Sequence, residues 1–304
     1  MVRRRPFVTT CLLFILLFIS SEVYLRYAGF ASYPIYDVDA QIKYIPAANQ
    51  HGSFLNHNAW FFNDRHMGNI SNWSAEKHPN ILLIGNSIVL GGNPFNHQDK
   101  LGPLLEKDLG GRYTVWSAAA GGWSNINEMT YLDRNADVVR NADVVRNADA
   151  VILEYMDGGF SAPSDWPGYY VFPDQKPWSL TLYTFRKYVI PRLVHAVASD
   201  FGSLPPTGTF DEAQLQRFKT LVANVAKAHK VLIFMYPVAK DLQNKSAWLD
   251  ATAPILELCK TTMAKCLDIA QEPAWNEKAY GSDGLHPTVN GNKILASVLA
   301  NAID

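Results

Sequence analysis

Three side chains suited to nucleophilic catalysis stand far apart in this 304-residue sequence. Ser87 ends the apolar run of residues 81–87, whereas Asp283 and His286 lie together near the C-terminus in residues 282–287. A serine hydroxyl becomes an effective nucleophile when an imidazole accepts its proton, and a carboxylate can orient that imidazole and stabilise its charged form. The sequence therefore predicts that folding brings Ser87, His286 and Asp283 together.

Other kinds of chemistry have little support. The eight histidines include no pair at helical metal-ligand spacing and no Cys-x-x-Cys pair occurs, so we predict no metal site and no cofactor. The glycine-rich phosphate-binding motifs and the Gly-x-Ser-x-Gly motif of another esterase class are also absent. The 27 basic and 28 acidic residues are mixed along the chain and give a net charge of -1, which argues against a nucleic-acid partner.

The N-terminus has the pattern of an export or membrane signal. Arginines at residues 3–5 precede apolar residues 7–25, a length that at about 1.5 Å per residue comes close to a hydrocarbon core of roughly 30 Å. Because positive flanks stay cytoplasmic, the remainder should be exported, with Glu22 near the far headgroups. We predict that residues 1–30 anchor a periplasmic or extracytoplasmic domain in the membrane. The alternative is cleavage after residues 29–31 and secretion.

The rest of the chain divides into an aromatic-rich extension, residues 31–78, and a main domain, residues 79–304. The main domain alternates apolar runs with amphipathic stretches, which indicates a parallel sheet covered by helices on both faces. Strands are predicted at residues 80–84, 113–118, 150–155, 231–236 and 266–270. Helices are predicted at residues 101–109, 125–146, 210–229, 253–265 and 290–303.

Two stretches depart from this alternation. Residues 134–151 repeat a six-residue unit that matches neither helical nor strand periodicity, which favours a duplication lengthening a surface helix, without assigned function. Residues 161–206 form an insertion rich in aromatic residues, which could stack on sugar rings or cover the core.

Two cysteines in the last third of the chain leave two alternatives open. Cys259 and Cys266 are seven residues apart, which is too far for a disulfide along one continuous helix. A bridge becomes feasible in an oxidising compartment if the helix ends near Ala264. Otherwise the two are buried thiols.

The two separated motifs, in this order, resemble the SGNH hydrolase family, also called GDSL hydrolases. The resemblance rests on Gly85-Asn86-Ser87 after the first sheet strand and on Asp283-x-x-His286-Pro287 before the last helix. It covers residues 79–304 apart from the insertion. It implies a flavodoxin-like three-layer α/β/α sandwich with a five-stranded parallel sheet. In the proton transfer it implies, Ser87 is the nucleophile, His286 the base and Asp283 the residue that orients His286.

The resemblance also implies groups that bind the oxyanion. These are the backbone N–H groups of Ser87 and of a glycine after the second strand, best matched by Gly122, with Gly121 as its neighbour. The family's third donor is an asparagine after the next strand, but this chain has Met156 there. Losing one such donor typically costs about 3 to 4 kcal/mol of transition-state stabilisation. Asn125 or Asn127 would then have to replace it, or hydrolysis is slow and acyl transfer remains open.

The expected substrate follows from location and resemblance. SGNH proteins associated with bacterial exopolysaccharides, including cellulose, are similar, so we expect removal or transfer of a short acyl group, such as acetyl, on an exported polysaccharide. Polysaccharide synthase machinery is then an expected partner beside the carbohydrate or acyl-ester substrate and the membrane. Two alternatives are a lipid esterase and an inactive scaffold protein that has kept the fold.

Overall fold

A long apolar helix, α1 (Arg5–Tyr27), begins the computed structural model, which describes residues 5–74, 79–136, 148–193 and 211–303. Its segment Phe7–Tyr27 extends two residues beyond the predicted one, and none of its most apolar part is buried inside the protein. By length and composition the helix could cross a membrane, and a signal sequence would have the same character. The structure therefore shows an exposed apolar helix, as expected of either an anchor or a signal.

Two antiparallel hairpins follow the helix. The first pairs β1 (Tyr36–Asp39) with β2 (Lys43–Pro46), and the second pairs β3 (Gln50–Phe54) with β4 (Asn58–Phe62). Aromatic side chains of the extension are buried in the hairpins, among them Tyr44. The Trp123 indole N–H donates to the Tyr44 carbonyl at 2.8 Å, so this extension is bonded to the main domain.

A five-stranded sheet forms the centre of the main domain. Its strands are β5 (Asn80–Gly85), β6 (Thr114–Ala119), β7 (Ala150–Tyr155), β8 (Lys230–Met235) and β9 (Lys265–Asp268). All neighbouring strands are parallel and the spatial order is β6-β5-β7-β8-β9, the doubly wound flavodoxin-like order, so the predicted fold class is confirmed. Every residue of β5 and of β7 is buried because helices cover both faces of the sheet.

Helices pack on the two faces of the sheet and give it two hydrophobic cores. Within β5, Ile81 and Leu83 face one core and Leu82 and Ile84 face the other, as strand alternation requires. The first core contains the short helix α2 (Ser87–Leu90) and the longer helices α3 (Leu101–Asp108) and α10 (Val289–Ile303). Those of the second are α4 (Asn125–Ala136), α7 (Glu212–Val225) and α9 (Lys245–Thr261). Three shorter helices complete the described chain: α5 (Leu180–Thr184), α6 (Ile190–Leu193) and α8 (Ala239–Gln243).

The predicted helix at residues 253–265 was wrong at both ends. The side chain of Asn244 accepts the backbone N–H of Ala247 and caps the helix start, eight residues earlier than expected. The helix ends at Thr261, before strand β9, and Cys259 forms a disulfide with Cys266. The bridging alternative is therefore the one that the structure contains.

Other element ends differ by a few residues. The last strand ends at Asp268, because its carboxylate caps a short helical turn by accepting the N–H of Ala270 at 3.0 Å. Helix α4 is described to Ala136, so most of the six-residue repeat, residues 137–147, lies outside the described residues, as do residues 194–206 of the insertion and the predicted helix start at residue 210.

Candidate active site

The candidate site lies where the carboxyl ends of three adjacent strands meet. Ser87 is the second residue after β5, Gly121 is the second after β6 and Met156 is the first after β7. Strand register pairs Gly85 with Ala119 and Ile84 with Leu153, which sets these three positions at the same edge of the sheet. In doubly wound sheets, ligands bind at this edge beside the point where the strand order reverses.

At this edge the structure brings together the three side chains first selected from the sequence. The Nε2 atom of His286 lies 2.9 Å from the Oγ atom of Ser87, although the two residues are 199 positions apart. The Nδ1 atom of His286 lies 2.7 Å from the Oδ2 atom of Asp283. With Nδ1 protonated, the imidazole donates to Asp283 and accepts from the serine hydroxyl, which is the arrangement that base catalysis requires.

The acid and the histidine are held by a local turn. The Oδ1 atom of Asp283 accepts the backbone N–H groups of Leu285 at 2.9 Å and of His286 at 3.0 Å, which leaves Oδ2 for the imidazole. Partial burial raises the pKa of Asp283, but hydrogen bonds from the His286 side chain and from these backbone groups outweigh it, so the net pKa is below the ordinary value. Asp283 is therefore ionised at neutral pH. The side chains of His286 and Asp283 are 42% and 52% exposed, so the site is open to solvent.

The serine is held by a buried turn. Its neighbour Asn86 caps helix α2 by accepting the N–H of Ile88 through its side chain at 2.9 Å, and its own backbone N–H donates to the Oε2 atom of Glu154 at 2.9 Å. A Cβ atom on Gly85 would come within 2.2 Å of the same Oε2 atom. The sequence Gly85-Asn86-Ser87 thus supplies space for a carboxylate, a helix cap and the nucleophile candidate.

A buried pair of acids beneath this turn was missed by the sequence analysis. Glu154 and Glu128 are almost fully buried, and the Oε1 atom of Glu154 has no hydrogen-bond partner among the described residues. Burial raises the pKa of both groups, and for Glu128 the charge of Glu154 raises it further. We therefore expect the pair to retain a proton at neutral pH. The available signal was a glutamate inside the otherwise apolar strand β7.

The glycine loop after β6 is bonded to the N-terminal extension. Gly122 has a φ of +77°, in the left-handed region that favours glycine. A Cβ atom there would lie 3.3 Å from the Tyr44 hydroxyl oxygen, and this hydroxyl donates to the carbonyl of Gly121 at 2.8 Å. The loop therefore follows β6 at the same sheet edge as Ser87 and has a conformation that favours glycine, and the role of Gly122 in binding an oxyanion stays a prediction.

The loop after β7 lacks a side-chain N–H donor at its first position. The sulfur of Met156 lies 3.9 Å from the Nδ2 atom of Asn86, beside the turn that carries Ser87. A thioether offers only a weak acceptor to an oxyanion that requires donors. Met156, the residue that differs from the family pattern, therefore lies next to the nucleophile candidate.

The two asparagines proposed as substitutes are occupied elsewhere. The side-chain amide of Asn125 donates to the Oε2 atom of Glu128 and to the carbonyl of Glu154, both at 2.8 Å. The amide of Asn127 donates to the carbonyls of Ile42 at 3.1 Å and Ser164 at 3.0 Å. In this arrangement both N–H groups of each amide are already donated, so neither Asn125 nor Asn127 has one left for an oxyanion.

A separate cavity of about 140 Å³ lies between the extension and the insertion. Aromatic side chains form about half of its wall, which also contains Leu90 at the end of helix α2 and the buried Lys100, whose pKa burial lowers to about 8. Ser87 and His286 do not line it. Among the described residues, no group of three His, Cys, Asp or Glu side chains is placed to hold a metal ion.

Comparison with known proteins finds likeness only at the level of structure. No protein-family model and no curated protein matches the sequence. Similar solved structures include TesA (12% identity, TM-score 0.45, covering 74% of this chain and 98% of that one) and a putative SGNH hydrolase from Slackia heliotrinireducens (17%, 0.43, 74% and 99%). Another is the carbohydrate acetylesterase Est24 from Sinorhizobium meliloti (14%, 0.41, 74% and 98%). The chain is thus similar to SGNH hydrolases and esterases over 74% of its length, at an identity and TM-score that assign neither activity nor substrate.

Proposed function

We propose that this protein is a serine esterase of the SGNH type that removes or transfers a short acyl group, such as acetyl, on an exported polysaccharide. The observation that carries the proposal is the continuous hydrogen-bonded series from Ser87 through His286 to Asp283. Each distance in it permits proton transfer or orientation without rearrangement of the fold.

The proposed reaction proceeds in two steps. The Oγ atom of Ser87 attacks the ester carbonyl while its proton passes to Nε2 of His286, and the backbone N–H groups of Ser87 and Gly122 bind the oxyanion. Collapse of the tetrahedral intermediate expels the alcohol, which takes the proton from His286, and leaves an acyl group on Ser87. Water or a second alcohol then attacks this ester and gives its proton to His286. His286 returns that proton to the Oγ atom of Ser87 as the acyl group leaves on the acceptor, so the acceptor decides between hydrolysis and transfer.

The open site supports a short acyl group on a large carrier. The partly exposed imidazole can be reached by an ester that projects from a polymer. The cavity of about 140 Å³ between the extension and the insertion does not include Ser87 in its lining, so this cavity does not place a long acyl chain next to the nucleophile. The exposed apolar helix α1 supports action at an exported polymer, with the protein anchored in the membrane.

The first test is covalent labelling together with product analysis. The purified full chain in detergent should react with a fluorophosphonate probe at Ser87, and Ser87→Ala should abolish both labelling and ester cleavage. A matched control, Ser246→Ala, replaces a serine on helix α9 outside the site and should keep both. Absence of labelling in the folded wild-type protein would contradict the esterase proposal and favour the scaffold alternative, to which the missing donor at Met156 points.

The second test separates the reaction classes. Acetylated oligosaccharides are incubated with the wild-type protein, with and without a large excess of an alcohol acceptor. Free acetate alone indicates hydrolysis, and acetylated acceptor indicates transfer. Faster cleavage of long-chain lipid esters than of acetyl esters would contradict the proposed substrate and favour a lipid esterase.

A further inference from the structure

The insertion carries a row of exposed apolar side chains on a helical segment. Helix α5, a π-helical turn (Phe185–Val189) and helix α6 follow one another without a break from Leu180 to Leu193. Leu180 and Tyr183 are buried against the extension, which leaves the other side of the segment in solvent. We call that side the docking face. Its members are Trp178 (82% exposed), Leu182 (46%), Phe185 (47%), Tyr188 (43%) and Leu193 (69%).

Exposed apolar side chains are concentrated on the docking face compared with the rest of the domain. Outside helix α1, the described residues include nine exposed large apolar side chains, of which five belong to the docking face. Leu182, Phe185 and Tyr188 follow one another at intervals of three residues, which keeps them on one side of a helix, and Trp178 and Leu193 flank them. Exposed apolar residues scattered singly need no explanation, but a contiguous group marks a surface for another apolar phase or partner.

The segment that carries the docking face is itself basic, although the Glu22 carboxylate of α1 lies at its start. Residues 175–193 contain four basic residues and no acidic residue, in a chain whose net charge is -1. Arg186 and Arg192 are exposed beside the apolar side chains. Aromatic and aliphatic side chains interleaved with arginine and lysine are the pattern of helices that lie in the interface of a bilayer with anionic lipids.

Polar contacts fix the docking face beside the end of the apolar helix α1. The carboxylate of Glu22 accepts the backbone N–H groups of Leu180 at 3.0 Å and Thr181 at 2.9 Å. The hydroxyls of Ser21 and Thr181 are 2.9 Å apart. Ser21 lies six residues before the end of α1, which corresponds to about 9 Å along a helix axis. The start of the insertion helix thus lies within about 9 Å of the end of a spanning α1, at the depth of the upper acyl chains and headgroups.

We propose that the docking face lies in the headgroup and upper acyl region of the same membrane that α1 crosses. The contacts of Glu22 and Ser21 place the docking face near the depth at which α1 ends, and the basic residues of the segment complement anionic lipid. The occupant of this face is therefore the lipid bilayer. The catalytic domain is then held at a fixed height and orientation above the bilayer, instead of swinging on a flexible tether.

The test measures lipid contact directly in the full chain. Single cysteines are introduced in a Cys11→Ser background at Phe185, at Leu17 within α1, and at Leu249 on helix α9, which is 49% exposed and so matches Phe185. Each is labelled with an environment-sensitive fluorophore, and the protein is reconstituted in vesicles of phosphatidylcholine and phosphatidylglycerol. Lipids with nitroxide groups in the upper acyl chain then act as quenchers.

We expect the labels at Phe185 and Leu17 to be quenched by more than half and the label at Leu249 to be unaffected. Quenching at Leu17 without quenching at Phe185 would overturn the proposal and leave the docking face for a protein partner. Absence of quenching at Leu17 would overturn it as well, because α1 would then not be in the bilayer. Labelling of Ser87 by the fluorophosphonate probe is independent of all these outcomes.

Discussion

The two halves of the candidate site are held in opposite ways. The serine turn rests on buried groups, since Asn86 is 5% exposed and Glu154 is fully buried. The acid and the histidine stand on an exposed turn in which the hydrogen bonds of the Asp283 side chain link residues three positions apart or fewer. The backbone of this turn is also tied to the main domain, because the Tyr236 hydroxyl donates to the Leu285 carbonyl and the Ala239 N–H donates to the Gly284 carbonyl. The nucleophile candidate is thus positioned by the core, and the imidazole of its base is oriented by the side chain of Asp283 within the same turn. Changes to the first half should therefore alter stability, and changes to the second should alter catalysis alone.

The largest effect should come from the exposed half. His286→Ala removes the proposed base and should lower kcat/KM for an acetyl ester at least about 1000-fold. The free energy of unfolding should change by less than about 1 kcal/mol, because the lost side chain is 42% exposed. Kinetics and denaturant unfolding of the same preparation measure both. A loss of several kcal/mol in stability would contradict the proposed division between the two halves.

A smaller loss is expected when the acid is changed and its shape is kept. Asp283→Asn retains an oxygen for the backbone N–H groups of Leu285 and His286, but it favours the wrong imidazole tautomer, so kcat should fall about 100-fold or more. KM should change little, since Asp283 acts through His286. An unchanged kcat would show that Asp283 does not orient the base.

Adding a hydrogen-bond donor beside the buried turn should raise the rate of ester hydrolysis. Met156→Asn places an amide where the family pattern has one, and we expect the rate of acetyl-ester hydrolysis to rise about tenfold, because one oxyanion donor contributes a factor of about 100 or more when well placed. Met156→Leu is the matched control and should leave the rate unchanged. Equal rates in the two variants would mean that this position does not reach the oxyanion.

The last expected effect is on stability and leaves the chemistry of the site untouched: it is a change in how stability depends on pH. Burial raises the pKa of Glu154 from 4.5 to about 8, so between these values the folded protein keeps a proton that the unfolded chain has lost. Stability therefore falls as pH rises through this window, by at most about 1.4 kcal/mol per pH unit for one group. Glu154→Gln removes that titration and should gain stability relative to wild type between pH 5 and pH 8.

Denaturant unfolding at both pH values checks this, with Glu257→Gln as a control on an exposed acid of helix α9. The free energy of unfolding of this control should change between pH 5 and pH 8 by as much as that of the wild type. If the free energy of unfolding of Glu154→Gln also changed with pH as that of the wild type does, Glu154 would not have a raised pKa in the folded state.

The sequence allowed the sheet and the triad candidates to be predicted because both depend on strong local patterns. Continuous apolar runs give β5 and β7 within one residue of their ends, and the turn at Asp283 is encoded within four residues. Partners that meet only through the tertiary fold could not be predicted. Glu154 supports a turn 68 positions away, and the bonds that occupy Asn127 come from Ile42 and Ser164.

The disulfide between Cys259 and Cys266 ties the edge strand of the sheet to helix α9, which packs beside it. Strand β9 has four residues and one neighbouring strand, so it is the part of the sheet most easily detached. Thiols stay reduced in the cytoplasm of most cells, and a chain retained there would lack this cross-link. Material produced without an oxidising step should therefore lose its sheet edge to protease before the strands that carry the candidate site are affected.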